Sequence, residues 1–316
     1  MNPLFLGTVR VALAAIIFTL AGNASAEEGW LTDYEAAKKQ AAKEGKDILI
    51  DFTGSDWCGW CIRLKKEVFS QESFKKEAPK HFVLLELDYP RKKQLEAKLK
   101  AQNEKLKNEF AIQGYPTIML TDATGKAYAK TGYQAGGPEK YIAHLSEKRA
   151  AKVERDKSFA AAAKAKNKIE KAKLLDQALS KIETTGGVPV MSVYSDIVDQ
   201  IITLDAKNKA GLKAKYESIL VATEIKDSLQ AIMRGNRGAK PEELIAKVDQ
   251  LIKEKAPKGE ALQEVLFMKS NLYFRVKDMK KAETLLREAM KIAPDSKTGK
   301  RIPGVLERFF GDKKAS

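Results

Sequence analysis

Hydrophobic and polar positions change rhythm once along this chain. Up to about residue 150, short apolar runs alternate with helical spacings; beyond it only helical spacings continue. Asp47-Ile48-Leu49-Ile50-Asp51-Phe52-Thr53-Gly54 is a compact apolar run closed by glycine and predicts a buried strand. His81 to Asp88 predicts a second, closed by Tyr89-Pro90. Thr117 to Leu120 and Ala127 to Thr131 flank Asp122-Ala123-Thr124-Gly125-Lys126, a hairpin-turn signature. Tyr34 to Glu44 has helical spacing and good helix formers. Ile62, Leu64, Val68 and Phe69 recur among Arg63, Lys65, Lys66 and Glu67, as on an amphipathic helix. Arg91 to Lys107 is a strongly charged helical stretch, and Pro138 to His144 opens a closing helix. This order of strands and helices predicts a small α/β sandwich over residues 27–150.

Residues 151–316 carry no strand signal and predict an all-α domain. Ser158 to Lys166 is an Ala/Lys run, as on a solvent-facing helix or helical linker. Helical patterns then break at Gly186-Gly187-Val188-Pro189, Gly235-Asn236-Arg237-Gly238 and Ala256-Pro257-Lys258-Gly259. Leu266, Ser270, Tyr273, Ala282, Leu286, Ala289 and Pro294 fall at the spacing of a tetratricopeptide-like helical hairpin. Ile201 to Leu220 and Leu244 to Ile252 offer degenerate neighbours for a helical-hairpin array. Tyr194, Tyr216, Tyr273 and Phe274 are expected in its core.

Charge adds a little to this picture. The chain carries a formal +15, of which residues 151–316 contribute roughly +11 by side-chain count. The lysines are spread at helical intervals rather than gathered with aromatics, so they read as a solvated face. Nucleic acid is not expected as a partner; weak contact with acidic surfaces is. Residues 1–26 read as a secretory signal peptide. Arg10 supplies the positive region, Val11 to Leu20 the apolar core, and Ala24-Ser25-Ala26 the cleavage site. That predicts an exported protein, periplasmic or secreted.

The chemistry sits in Trp57-Cys58-Gly59-Trp60-Cys61, which holds both cysteines of the chain. With His81 and His144 as its two histidines and neither at ligand spacing, no metal site is expected. A fixed structural disulfide closing so short a loop removes little entropy from the unfolded chain, so the spacing favours a pair that opens and closes. The pair lies between the first strand and the amphipathic helix, with Cys58 near the helix N-terminus. Unpaired backbone N–H groups there favour an anion. Cys58 is thus the expected attacker and the more exposed sulfur; Cys61, one turn further in, is the expected resolving thiol. Trp57 and Trp60 are expected to wall the site.

Asp51-Phe52, Trp57-Cys58-Gly59-Trp60-Cys61 and Gly114-Tyr115-Pro116-Thr117 together resemble the thioredoxin superfamily. The run Asp51 to Cys58 is most similar to its secreted bacterial thioredoxin-like members. The resemblance spans roughly Trp30 to Ala150 and implies a cis bond before Pro116, facing the disulfide. It also implies an extended substrate segment paired to the neighbouring backbone, which makes Trp57, Gly59, Trp60, Tyr115 and Thr117 substrate-binding candidates. It implies a buried carboxylate under the second cysteine as proton relay. Asp51 is the nearest match, with Glu86 or a water as the alternative, because one more residue separates Asp51 from Cys58 than in thioredoxin itself.

These readings converge on an extracytoplasmic thiol–disulfide oxidoreductase that acts through Cys58 and Cys61 and needs no cofactor. Its partners would be protein thiols or disulfides and an upstream electron donor or acceptor, with the helical half choosing partners. The rival reading is an interaction or adaptor protein whose helical array does the work beside a static thioredoxin-like module.

Overall fold

The computed structural model describes residues 29–235 and 238–311. The predicted signal peptide, residues 1–26, lies outside the described residues. The chain divides into two compact units: residues up to Val153 together with Ile182–Pro189, and Glu154–Lys181 with Val190 onward.

The first unit is built on five strands: β1 (Trp30–Leu31), β2 (Asp47–Thr53), β3 (Phe82–Asp88), β4 (Thr117–Thr121) and β5 (Ala127–Thr131). Their order is β1-β3-β2-β4-β5. β3 runs parallel to β1 and β2, while β4 is antiparallel to β2 and β5 to β4. Every residue of β2 is buried, as its unbroken apolar run requires of a central strand covered on both faces. The cost of that placement falls on Asp47 and Asp51, two carboxylates inside the sheet. Asp47 is satisfied: its carboxylate accepts Tyr128 Oη at 2.9 Å, Lys152 Nζ at 2.8 Å and Arg149 Nε at 3.3 Å. Asp51 is not, as shown below.

The helices of this unit are α1 (Tyr34–Glu44), α2 (Gly59–Leu64), α3 (Glu72–Glu77), α4 (Ala97–Glu109) and α5 (Gly137–Lys164). Asp33 caps α1 by accepting the Ala36 N–H, and Gly45 closes it in the left-handed conformation. α2 runs on as a π-helical turn over Lys65–Phe69. Two expectations need correction here. Leu64, Val68 and Phe69 are buried, but Ile62 is 47% exposed, because the buried stripe runs through Cys61, Leu64 and Val68 at helical spacing and leaves Ile62 on the open edge. Residues 91–96 are not helical. The Asp56 carboxylate accepts the Arg91 N–H at 2.9 Å and the Lys92 N–H at 2.8 Å, which holds those amides in a loop, and α4 starts only at Ala97.

The second unit is helical throughout its described residues: α6 (Lys168–Lys181), α7 (Val190–Val193), α8 (Ser195–Leu204), α9 (Leu212–Gly235), α10 (Pro241–Lys255), α11 (Gly259–Arg275), α12 (Met279–Ile292) and α13 (Ile302–Phe310), with the end of α5. The stretch Ile201–Leu220 is interrupted rather than continuous. Asp205, fully buried, accepts the N–H groups of Ala210 and Leu212 at 3.1 and 2.9 Å, which ends α8 and opens α9. α11 and α12 pair as a hairpin in which Leu266, Ser270, Ala282, Leu286 and Ala289 are buried. Tyr194 and Tyr216 are core residues, while Tyr273 and Phe274 are only partly buried.

Candidate active site

Strand β2 ends at Thr53, and a four-residue loop delivers the chain to Cys58, the N-cap of α2. Cys58 takes an extended backbone conformation, and its Sγ accepts the Cys61 N–H at 3.2 Å. The two sulfurs form a disulfide. Both residues are buried, Cys58 at 7% exposure and Cys61 at 3%, in the order expected from their positions. A sulfur that already accepts a backbone N–H at the start of a helix needs little rearrangement to hold negative charge there.

The loop before Cys58 is clasped to the segment after β3 by reciprocal bonds. Asp88, buried, accepts Ser55 N–H at 2.9 Å and Ser55 Oγ at 2.6 Å, and pairs with Lys93 at 3.0 Å. Trp57 Nε1 donates to the Tyr89 carbonyl at 2.8 Å. Gly54 is required by this packing, since a Cβ there would meet the Trp57 ring at 2.6–2.8 Å.

Aromatic rings then join the loops. Trp57 meets Tyr115 edge to face at 5.7 Å between centroids, and Tyr115 lies 5.1 Å from Tyr89. The Tyr115–Pro116 bond is cis, as the resemblance implies. Thr117 Oγ1 donates to the Gly114 carbonyl at 2.8 Å and ties the same turn. On the other flank Trp60 is 55% exposed and packs on Tyr133 at 5.2 Å. Its exposure agrees with a residue at the wall of the site, while Ile62, also exposed, is the residue that periodicity placed inside. Nothing is packed around the Cα of Gly59: a Cβ would meet no atom within 4 Å.

Behind the disulfide is a cleft of ≈ 440 Å³ whose lining includes Asp51, Cys61, Lys65, Ser70 and Glu86. Asp51 faces Glu86 directly across the β2–β3 register. Asp51 is buried and its Oδ1 has no hydrogen-bond partner among the described residues. Loss of hydration, with like charge from Glu86 and Asp88, holds its carboxyl well above the usual carboxylate range, against a smaller pull from Lys65. The structure thus brings Asp51, Glu86 and Cys61 to one cleft, although the spacing to Cys58 had left Asp51 in doubt. Sequence reading missed Lys65, Arg63 and Arg91 at the site. Arg63 over Trp60 could have been read from their i,i+3 spacing on α2, whereas Arg91 over Trp57 is legible only once the loops are folded together.

Comparison with known proteins follows the same lines. A family model described as a thioredoxin-like domain matches residues 34–148. Over 112 residues the chain is 32% identical to a disulfide bond reductase DsbH of Chlamydia pneumoniae, covering 35% of this chain and 68% of that protein. Over 116 residues it is 29% identical to a thioredoxin-related protein DsbJ of Chlamydia pneumoniae, covering 36% of this chain and 33% of that one. A solved structure of a DsbH oxidoreductase is 31% identical and covers 38% of this chain and 82% of its own, with a TM-score of 0.36. The family match leaves residues 149–316 outside it.

Proposed function

The chain belongs to the thioredoxin-like family of thiol–disulfide oxidoreductases, and from that premise we propose that Cys58 attacks a protein disulfide and Cys61 resolves the product. The Cys58 thiolate attacks one sulfur of the substrate disulfide, forms a mixed disulfide and expels the other sulfur as thiolate. Deprotonated Cys61 then attacks Cys58 Sγ, closes the intramolecular bond and releases the second substrate sulfur. Two electrons pass to the substrate, and both substrate thiolates take up protons. The same steps in reverse oxidise a substrate dithiol.

The observation that carries this reading is the Cys61 N–H bonded to Cys58 Sγ at the first turn of α2. It supports the attacking role for Cys58, whose sulfur, once reduced to a thiolate, would find a backbone N–H in place. Asp51 serves as acceptor for the Cys61 proton, since it shares the cleft with Cys61 and its burial raises its affinity for a proton. Trp57, Tyr115, cis-Pro116 and Thr117 hold the substrate strand, with Gly59 left open for its approach and Trp60 as an apolar wall.

The protein works outside the cytoplasm, delivered by the leader read in residues 1–26. An upstream thiol donor or acceptor resets its redox state, and the helical unit selects partners. Support for a tetratricopeptide-like reading of that unit is the α11–α12 hairpin, with Ser270, Ala282 and Ala289 buried where two helices cross closely. Insulin reduction driven by dithiothreitol tests the enzymatic reading. The wild-type protein should accelerate it and Cys58→Ala should not; equal turnover by both would leave a static module.

A further inference from the structure

Two arginines stack on the two tryptophans of the motif, and their commitments differ. The Arg63 guanidinium lies 5.5 Å from the Trp60 centroid, but its Nε already donates to Glu67 at 2.7 Å. The Arg91 guanidinium lies 3.7 Å from the Trp57 centroid and has no carboxylate partner among the described residues. Its main chain is nevertheless fixed in place. The Asp56 carboxylate accepts the Arg91 backbone N–H at 2.9 and 3.2 Å, and Trp57 is itself held to the Tyr89 carbonyl. Stacking occupies the π face of a guanidinium and leaves the N–H edge that matches a carboxylate. Asp56 is the nearby counter-charge, yet both its oxygens are engaged by the main chain of Arg91 and Lys92.

We infer that Arg91, held on Trp57 beside the reactive disulfide, is a specificity subsite that recognises a carboxylate next to the reactive cysteine of an acidic substrate segment. This rests on the thiol–disulfide exchange proposed above and adds what it prefers to act on. Trp57 immediately precedes Cys58 and its ring meets Tyr115 before cis-Pro116, so a charge seated on that ring borders the groove assigned to the substrate strand. A stacked, main-chain-anchored arginine has surrendered much of its side-chain freedom before binding, which raises its worth per contact over a free surface lysine.

The test uses the reduced full-length protein and peptides of one sequence carrying Glu, Gln or Lys beside a single cysteine. Each is capped as a mixed disulfide with 2-mercaptoethanol, and each rate is normalised to that with dithiothreitol. The wild-type protein should favour Glu over Gln by about tenfold, a typical value for one well-placed charge-assisted pair. Arg91→Gln should bring that ratio close to one, and Lys92→Gln, which removes the same charge one residue on, should leave most of it. A wild-type ratio near one, or an equal loss in Lys92→Gln, overturns the Arg91 subsite while exchange itself stands. Failure to exchange with any of the three peptides overturns the oxidoreductase reading, and this inference with it.

Discussion

The backbone N–H of Cys61 points at the sulfur of Cys58 across 3.2 Å, inside the first turn of α2. One residue of the pair therefore solvates the other before any substrate arrives. The asymmetry continues behind them. Cys61, not Cys58, lines the cleft that holds Asp51 and Glu86. The backbone N–H favours charge on the outer sulfur, and the inner one lies in the cleft lined by the raised-pKa carboxyl of Asp51.

Removing the inner sulfur should stall exchange halfway. Cys61→Ala is expected to accumulate covalent adducts through Cys58 with disulfide-bearing proteins, visible as dithiothreitol-sensitive bands, because nothing remains to attack the mixed disulfide. Absence of adducts from Cys61→Ala, with Cys58 intact, would argue against Cys58 as the attacker.

Asp51 should make stability depend on pH in a definite direction. Its folded-state pKa is raised above the ordinary carboxylate value of 3.8, so the folded state binds the proton more tightly than the unfolded chain. Its contribution is therefore fully present below about pH 4 and is lost as pH rises through the raised folded value. Asp51→Asn removes that loss. Urea unfolding should find the variant more stable than wild type at pH 8, by roughly 1–3 kcal/mol for one buried polar group relieved of charge, with the difference shrinking toward pH 4. Parallel curves for the two proteins would place the titrating group elsewhere.

Gly54→Ala should disturb the site without touching sulfur. The new Cβ would meet the Trp57 ring at 2.6–2.8 Å, so the indole must move and give up its bond to the Tyr89 carbonyl. A stability loss of about 1–3 kcal/mol is expected from overpacking, with a shift in tryptophan emission. Unchanged emission and stability would mean that Trp57 is not held as described.

Asp47 anchors the far end of the same strand. Replacing it with Ala takes a carboxylate partner from Tyr128 Oη, Arg149 and Lys152. Because Arg149 and Lys152 are 37% and 29% exposed, they recover hydration in part. The expected loss is then about 1–3 kcal/mol rather than the roughly 3–5 kcal/mol of a wholly buried pair. Chemical unfolding of Asp47→Ala decides between the two.

The sequence made β2, β3 and the β4–β5 hairpin legible to within about a residue, because their apolar runs are bounded by Gly, Pro or a turn motif. One misreading has its cause in a partner distant in the chain. Asp56 takes the amides of Arg91 and Lys92 from 35 and 36 residues away and delays α4. Strand β1 is two residues long and carries no pattern to read. The cysteine pair and the cis-proline were foreseeable, whereas the place of Asp51 was left open by its spacing to Cys58, and its position opposite Glu86 depends on β2–β3 register, which no local pattern encodes.

The proposed exchange turns on the acidity of one thiol. In the reduced protein, titrating Cys58 by its rate of alkylation with iodoacetamide between pH 4 and 10 measures it directly, with Cys61→Ala isolating the signal. A sulfur bonded to a backbone N–H at a helix start should titrate clearly below the roughly 8.5 of a free cysteine, within the range of about 3.5–7.5 known for such positions. A midpoint at or above about 8.5, with alkylation no faster than that of a free thiol, would contradict it.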